Sequence, residues 1–294
     1  MIVSLPDGAR RISLRRVDAL GRASDVVGHL VAVNDQFLVV LPEDRPEVWV
    51  PRAEVRQTRS VPERRVLPAS PPDAVQRILD LAWPGERRGR LGGWVLRASS
   101  GTSRRANSVL VAGDPGVPWE EAVQEADHWV GGTAVLQVVD GDPLVGEPGF
   151  VREADTIVMV ADATTGEVPT GWVVGDAPSA EWLALWRDDP VDAGTLAELT
   201  AGPAKYLSAP GIGAGRVAVV RDWAVVSCVH VREGRRREGW GGALTRALTH
   251  LGAVDGARHV ALQVEADNPA ARALYGSLGF EEHHRYCYLR RPAS

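Results

Sequence analysis

The chain has 294 residues, a formal net charge of −5 and two cysteines, Cys228 and Cys287. That length gives room for two or three modules with an ample core. The acidic balance lacks the basic footprint of a nucleic-acid binder, and two cysteines are too few for a disulfide framework or a Cys-based zinc site, so no metal is expected.

Arg outnumbers Lys overwhelmingly, Lys205 being the only lysine, a composition expected from GC-rich codon usage rather than from a nucleic-acid surface. The opening MIVSLPDGARR lacks the long apolar segment of a signal peptide. No run approaches the roughly 18 apolar residues of a membrane span, so a cytoplasmic location without a membrane partner is expected.

Residues 1–66 read as short strands at Ile12–Val17, Val26–Val33, Phe37–Leu41 and Val48–Val50, with Asn34-Asp35 as a turn. Their number and length resemble a small all-β SH3-like barrel. Eleven Arg against nine Asp plus Glu in the first 70 residues leave a docking or architectural role and the binding of a peptide or nucleic acid both open. Pro68 and Ser70-Pro71-Pro72 mark a boundary.

From Pro72 the pattern becomes mixed α/β. Asp73–Trp83 is helical, with Val75, Ile78, Leu79 and Ala82 on one side; Trp94–Arg97 and Asn107–Ala112 are strands. Trp119–Val130 is a helix entered through Pro118, and a strand comes next at Thr133–Val139. Near Gly171 a further half begins, with a strand at Trp172–Val174 and helical segments at Ala180–Trp186 and Thr195–Leu199. Gly211–Gly215 reads as a flexible loop and not a phosphate loop, because a strand rather than a helix follows it. Arg216–Val220 and Trp223–Val231 form a hairpin about Arg221-Asp222.

The stretch from Val231 to Leu251, VREGRRREGWGGALTRALTHL, organises the C-terminal half of the chain. A strand ends, an arginine-rich turn intervenes, and Gly239, Gly241 and Gly242 open a helix with Leu244, Ala247, Leu248 and Leu251 on one face. The unpaired amides and positive dipole end of a helix N-terminus attract anions, and glycines let a phosphate reach the main chain. Arg236-x-x-Gly239-x-Gly241 therefore suits a pyrophosphate, while a helix cap with solvated arginines is the plainer alternative. His259–Glu265 is a strand with Val260, Leu262 and Val264 on one face. Asp267-Asn268-Pro269 then starts a second helix with a cap residue and a proline at its first position.

Together these residues resemble the GNAT (GCN5-related) N-acetyltransferases. In that superfamily Arg/Gln-x-x-Gly-x-Gly/Ala holds the pyrophosphate of acetyl-CoA, matched here by Arg236, Gly239 and Gly241. The last helix and strand carry a motif matched by Asn268, Ala271, Leu274, Tyr275, Leu278, Gly279 and Phe280. The resemblance implies a GNAT catalytic domain over residues 166–294, with Ala180–Trp186 and Thr195–Leu199 bordering the acceptor site.

Leu136–Pro143, LQVVDGDP, matches Leu262–Pro269, LQVEADNP, at Leu, Gln, Val and Pro. Each is followed by Gly-Phe and a closing strand: Gly149-Phe150 with Asp155–Val160, and Gly279-Phe280 with Arg285–Leu289. The first copy is too short for a full last helix and has neither the Tyr nor the Arg-x-x-Gly-x-Gly. Residues 72–165 are thus expected to be a degenerate, non-catalytic GNAT-like half, with chance similarity of two buried strands as the alternative. The whole order resembles an actinobacterial group of acetyltransferases and N-acetylglutamate synthases.

The resemblance assigns roles. The arm of acetyl-CoA is expected between the strands near Cys228–Val231 and Leu262–Glu265, pairing with main chain as an added strand would, with an amide in Val229–Val231 polarising the acetyl carbonyl. Arg236, Arg237, Glu238, Gly239, Trp240, Gly241 and Gly242 are expected at the phosphates, and Asn268 and Ala271 beside the arm. Trp240 stands where a smaller aliphatic residue is usual. Tyr275 is the expected proton donor to the leaving thiolate, since a phenol of pKa about 10 and a thiol of about 8.5 are close enough to share a proton.

Glu265 and His230 are candidate general bases, each with a structural alternative. Ser227 and Cys228 have no matched His-Asp partner and are not expected to act as nucleophiles. The expected partners are acetyl-CoA and a small-molecule or peptide amine, with monomer and homodimer both open. The expected activity is acetyl transfer to a primary amine, such as glutamate or another small amino acid, in a ternary complex. A protein N-terminus or lysine as acceptor, and a non-catalytic acyl-CoA-binding regulatory module, are the alternatives.

Overall fold

The computed structural model describes residues 9–292. Most of the opening MIVSLPDGARR, and the outer ends of the expected first and third domains, lie outside the described residues. By contacts the chain divides into two compact units. One holds the residues up to 65 with 87–97 and 108–136; the other holds 66–86, 98–107 and 137 onward.

In the first unit β1 (Arg11–Val17), β2 (Ala23–Val33), β3 (Phe37–Leu41), β4 (Val48–Pro51) and β5 (Val55–Ser60) form a sheet in the order β4-β3-β2-β1-β5. Alternation in β1 buries Ile12 and Leu14 against Val26, Val40 and Val50. The fifth strand, VRQTRS, escaped the sequence because it is almost wholly exposed and has no apolar alternation. Its main chain pairs from Ile12↔Ser60 to Arg16↔Val55. The chain next forms α1 (Pro72–Ala82) in the second unit. The first unit then gains β6 (Arg87–Leu91), β7 (Trp94–Ala98), β8 (Val109–Leu110) and α2 (Trp119–Val130), which stops at Gly131 in the left-handed region, φ 76°. The strand expected from Asn107 is only two residues long. Asn107 is drawn into a turn instead, its amide donating to the Ser103 carbonyl and its side chain accepting from Ser99 N–H at 2.8 Å.

The second unit continues with β9 (Leu136–Val139), β10 (Val151–Asp162), β11 (Val173–Gly175), α3 (Ala180–Trp186), α4 (Ala193–Thr200) and β12 (Lys205–Ala209). After these come β13 (Gly213–Val220), β14 (Trp223–Val231), α5 (Trp240–Val254), β15 (His259–Glu265), α6 (Pro269–Ser277) and β16 (Glu281–Arg290). The strand order is β11-β12-β13-β14-β15-β10-β16-β9, with β14 and β15 parallel. One face packs Leu244, Ala247 and Leu248 of α5 on Val217, Val226, Val260 and Leu262. The opposite core gathers Trp182, Leu185, Leu199, Tyr206 and Ala214, with the Trp182 indole donating to Gly215 O at 3.0 Å.

Gly213–Gly215 belongs to β13, which corrects the loop reading of Gly211–Gly215. Only Gly211, at φ 67°, serves the turn. A Cβ on Gly215 would lie 2.5 Å from Leu248 Cδ1, and one on Gly213 would strike the His230 carbonyl. These glycines are kept small by neighbours, not by flexibility.

The internal repeat takes the form of an exchange of strands. Gly149 and Gly279 both take left-handed conformations, φ 88° and 85°. The strand after the first, β10, pairs with β15 from Thr156↔Glu265 to Asp162↔His259, and the strand after the second, β16, lies between β10 and β9. Each closing strand sits against the other copy. The sheet that carries β14 and β15 therefore includes residues 151–162, so the expected start at 166 cuts through it. A short turn, Pro143–Gly146, capped by Asp142 through Leu144 N–H, stands where α6 follows β15.

A buried polar relay joins α1, β9 and β16. Gln137 Nε2 donates to Gln76 Oε1 at 2.9 Å, and Gln76 Nε2 donates to His284 Nε2 at 2.9 Å. His284 then donates through Nδ1 to His283, which donates through Nε2 to Ser70 O at 3.0 Å. The terminal carbonyl can only accept, which fixes both tautomers.

Candidate active site

The parallel ladder between β14 and β15 runs from Trp223↔His259 to Val226↔Leu262 and stops. Beyond it β14 carries a bulge: Arg216 and Ala214 of β13 face Ser227 and His230, and Cys228 has φ 56°. An extra residue bends a strand and raises its twist. The segments Val229–Val231 and Gln263–Glu265, at the strand ends from which α5 and α6 depart, are thus not paired with each other.

A short turn at Glu233–Arg235 leads from β14 to α5. Arg236 Nε donates to Val231 O at 3.1 Å, tying the loop to the strand end. Arg237 and Gly239 adopt left-handed conformations, φ 67° and 84°. Gly239 is the N-cap and offers no side-chain acceptor, so the first amides of α5 carry no side-chain cap. A Cβ on Gly239 would meet nothing within 4 Å, so conformation rather than space calls for glycine there. Gly241 and Gly242 differ: added Cβ atoms would lie 3.0 and 3.5 Å from the methyls of Leu274, so these two glycines let α6 close on the first turn of α5.

Glu238 Oε2 accepts from Trp240 Nε1 at 2.8 Å and Arg235 Nε at 3.0 Å, and those bonds hold its carboxyl below the usual carboxylate range. The Trp240 ring lies 6.5 Å from that of Trp172 and under the Arg235 guanidinium. Both side chains are engaged within the loop, which leaves main chain as what positions 238 and 240 present to an anion.

In α6, Asn268 Oδ1 accepts from Ala271 N–H at 3.0 Å and Pro269 occupies the first turn, so the capping reading of Asn268 holds. The half-buried Tyr275 packs edge-on to Phe280 at 6.0 Å. Its hydroxyl bonds to no described residue, and burial pushes its pKa up, keeping the phenol protonated.

Beside the bulge lies a cavity of about 560 Å³ lined in part by Cys228, Gln263, Glu265, Thr156, Tyr286 and Glu198. Glu265 stands exposed at the end of β15, whereas His230 is not among the lining residues. His230 Nδ1 donates to Leu185 O at 2.7 Å, which leaves only Nε2 free to take a proton. Gln263 Oε1 accepts from the Tyr286 hydroxyl at 2.6 Å.

Glu198, in α4, was not singled out by sequence. It is 1% exposed, accepts from Asn107 Nδ2 at 2.7 Å and Ser103 N–H at 3.1 Å, and burial raises its pKa. Only its place in a helix expected to border the acceptor hinted at it. Both cysteines are free. Among the described residues no helix is long and apolar enough to cross a membrane.

Comparison with known proteins matches residues 74–289 to the family described as the C-terminal region of the probable histone acetyltransferase Rv0428c. The probable histone acetyltransferase Rv0428c of Mycobacterium tuberculosis is 28% identical over 305 aligned positions, covering 98% of this chain and 97% of that protein. An uncharacterized N-acetyltransferase, YobR of Bacillus subtilis, is 25% identical over 242, covering 71% and 96%. A GCN5-related N-acetyltransferase from Kribbella flavida shares the fold, with a TM-score of 0.55 and 20% identity over 76% of this chain and 96% of that one.

Proposed function

Since the chain belongs to the Rv0428c C-terminal acetyltransferase family, within the GNAT superfamily of acyltransferases, we propose that it carries the acetyl group of acetyl-CoA directly to a primary amine held at the β14 bulge. The observation that carries this reading is the end of the β14–β15 ladder at Val226↔Leu262, directly before a helix whose first turn has no side-chain cap. A ligand with an amide-bearing arm and a diphosphate matches both vacated sets of main-chain groups.

In this reading the amides of Gly239–Gly242, with Arg236 and Arg237, hold the diphosphate, and Glu238 and Trp240 contribute main chain while bracing the loop. Val229–Val231 binds the arm and polarises the acetyl carbonyl through an amide, with Ala271 and the free carboxamide nitrogen of Asn268 alongside. The neutral amine attacks the carbonyl carbon, the C–S bond breaks, and Tyr275 gives its proton to the departing sulfur. The unbonded, protonated phenol suits that task. Glu265, at the cavity, takes the proton of the amine; His230 is the reserve base through Nε2.

The first unit's five-stranded sheet serves as an SH3-like docking or architectural module, and residues 72–165 supply the degenerate GNAT-like half. Strand exchange supports a repeat origin, because each closing strand completes the other copy.

The test is amine-dependent release of CoA from acetyl-CoA across a panel of amino acids, polyamines and peptides, with the product identified by mass. Transfer to an amine supports the reading. Absence of both acetyl-CoA binding and transfer would end it.

A further inference from the structure

Two guanidinium groups, of Arg105 and Arg187, line the acceptor cavity and a third, of Arg216, lies against one of its tryptophans, none with an acidic partner among the described residues. Arg105 lies 5.4 Å from the Trp83 ring centre and Arg216 lies 4.8 Å from the same ring, while Arg187 stacks on Trp186 at 4.5 Å. Both tryptophans, Arg105 and Arg187 line the cavity. Arg216 is not among the lining residues and is fully buried against the Trp83 and Tyr206 rings. One of its nitrogens donates to Ala82 O at 3.2 Å, and Nε and Nη2 have no partner among the described residues. All three charges reach the Cys228 thiol, pulling against the burial that raises its pKa.

Arg187 is exposed and Arg105 half-buried, but the Arg216 guanidinium lies out of water without a counter-ion, which is costly, and it shares the Trp83 indole with Arg105, so those two charges repel each other. The buried carboxylate of the cavity does not relieve them. Glu198 lines the same cavity but gives its two oxygens to Asn107 and Ser103 and forms no ion pair with these arginines. Planar guanidinium forks braced on aromatic faces match a carboxylate. The field also opposes a polycationic peptide.

We infer that the cavity is a carboxylate-selecting acceptor site, in which Arg105 and Arg187 grip a carboxylate of the amine substrate near the buried charge of Arg216. The inference rests on the proposed acetyl transfer and names its acceptor class: an amine that also bears a carboxylate, as a free amino acid does, rather than a lysine-rich protein tail. The amine then lies toward Glu265 and the bulge, the carboxylate toward Trp83 and Trp186.

The experiment compares kcat/KM for matched acid and amide pairs, L-glutamate with its diamide and glycine with glycinamide, alongside a lysine-rich peptide. It uses the full chain and the Arg105→Gln and Arg187→Gln variants. Separately, calorimetry with glutarate reads carboxylate binding without turnover, and calorimetry with acetyl-CoA reads the cofactor cleft.

Acids should exceed their amides by at least about tenfold, the loss of one charge-assisted bond. Each variant should raise KM for the acid, weaken glutarate by a similar factor and shrink the acid-over-amide ratio, with acetyl-CoA affinity unchanged. Equal rates on acid and amide, a preference for the peptide, or glutarate binding that is absent or untouched by either variant would overturn the inference while leaving acetyl transfer intact. Loss of acetyl-CoA binding in the unaltered chain would instead strike the proposed function.

Discussion

Tyr275→Phe isolates the proton-transfer step. The substitution removes one oxygen that no described residue binds and keeps the ring packed edge-on to Phe280 at 6.0 Å. Stability should therefore change by less than about 0.5 kcal/mol. If the phenol protonates the leaving sulfur, kcat should fall by about 10²- to 10⁴-fold, the usual worth of a general acid. That is about 3–5 kcal/mol of barrier at roughly 1.36 kcal/mol per decade. Because desolvation raises the phenol's pKa, the wild-type rate should not lose a Tyr275 proton below about pH 10. The assay is initial-rate CoA release at saturating acetyl-CoA, paired with calorimetric acetyl-CoA affinity and thermal denaturation. A variant with wild-type kcat, or one whose kcat loss tracks weakened acetyl-CoA binding, would refute the assignment.

Gly239→Glu should abolish acetyl-CoA binding in calorimetry, whereas Gly239→Asn, which tolerates φ 84° and adds no charge, should retain most of it; equal losses would mean that conformation, not anion approach, decides. Gly252→Ala would drive a Cβ into that of Ala224 where α5 meets β14, so chemical denaturation should show a loss of about 1–3 kcal/mol. His284 has its pKa lowered to about 3 by burial and then by His283, so below about 6.5 the unfolded chain gains a proton that the folded one refuses. Stability should accordingly be full above about pH 6.5 and decline toward about pH 3, at up to about 1.4 kcal/mol per unit. Urea midpoints should show a flatter acid limb in His284→Gln, and an unchanged limb would sink the attribution.

What the sequence revealed was local chemistry. Gly239 at φ 84°, the Asn268 cap with Pro269, and the alternation of HVALQVE each depend on neighbours within a few residues, and α5, α6 and β15 stand where those signs put them. The exchanged strands were hidden because β10 and β16 follow the same Gly-Phe signal, and nothing local says which copy a closing strand joins. The fifth strand of the first unit was hidden by its exposure, and β13 by glycines that mimic a loop. The cavity was least legible of all. Arg105, Arg187 and Arg216 lie far apart in the chain, and only folding sets their charges around Cys228.

The central claim is that a diphosphate rests on the first amides of α5 while its arm lies between the splayed ends of β14 and β15. A crystal structure of the acetyl-CoA complex tests it most directly. Density for the diphosphate within hydrogen-bond reach of the Gly239–Gly242 amides, with the thioester sulfur beside the Tyr275 hydroxyl, is the predicted result. Acetyl-CoA bound elsewhere, or a Tyr275 hydroxyl turned away from the sulfur, would contradict it.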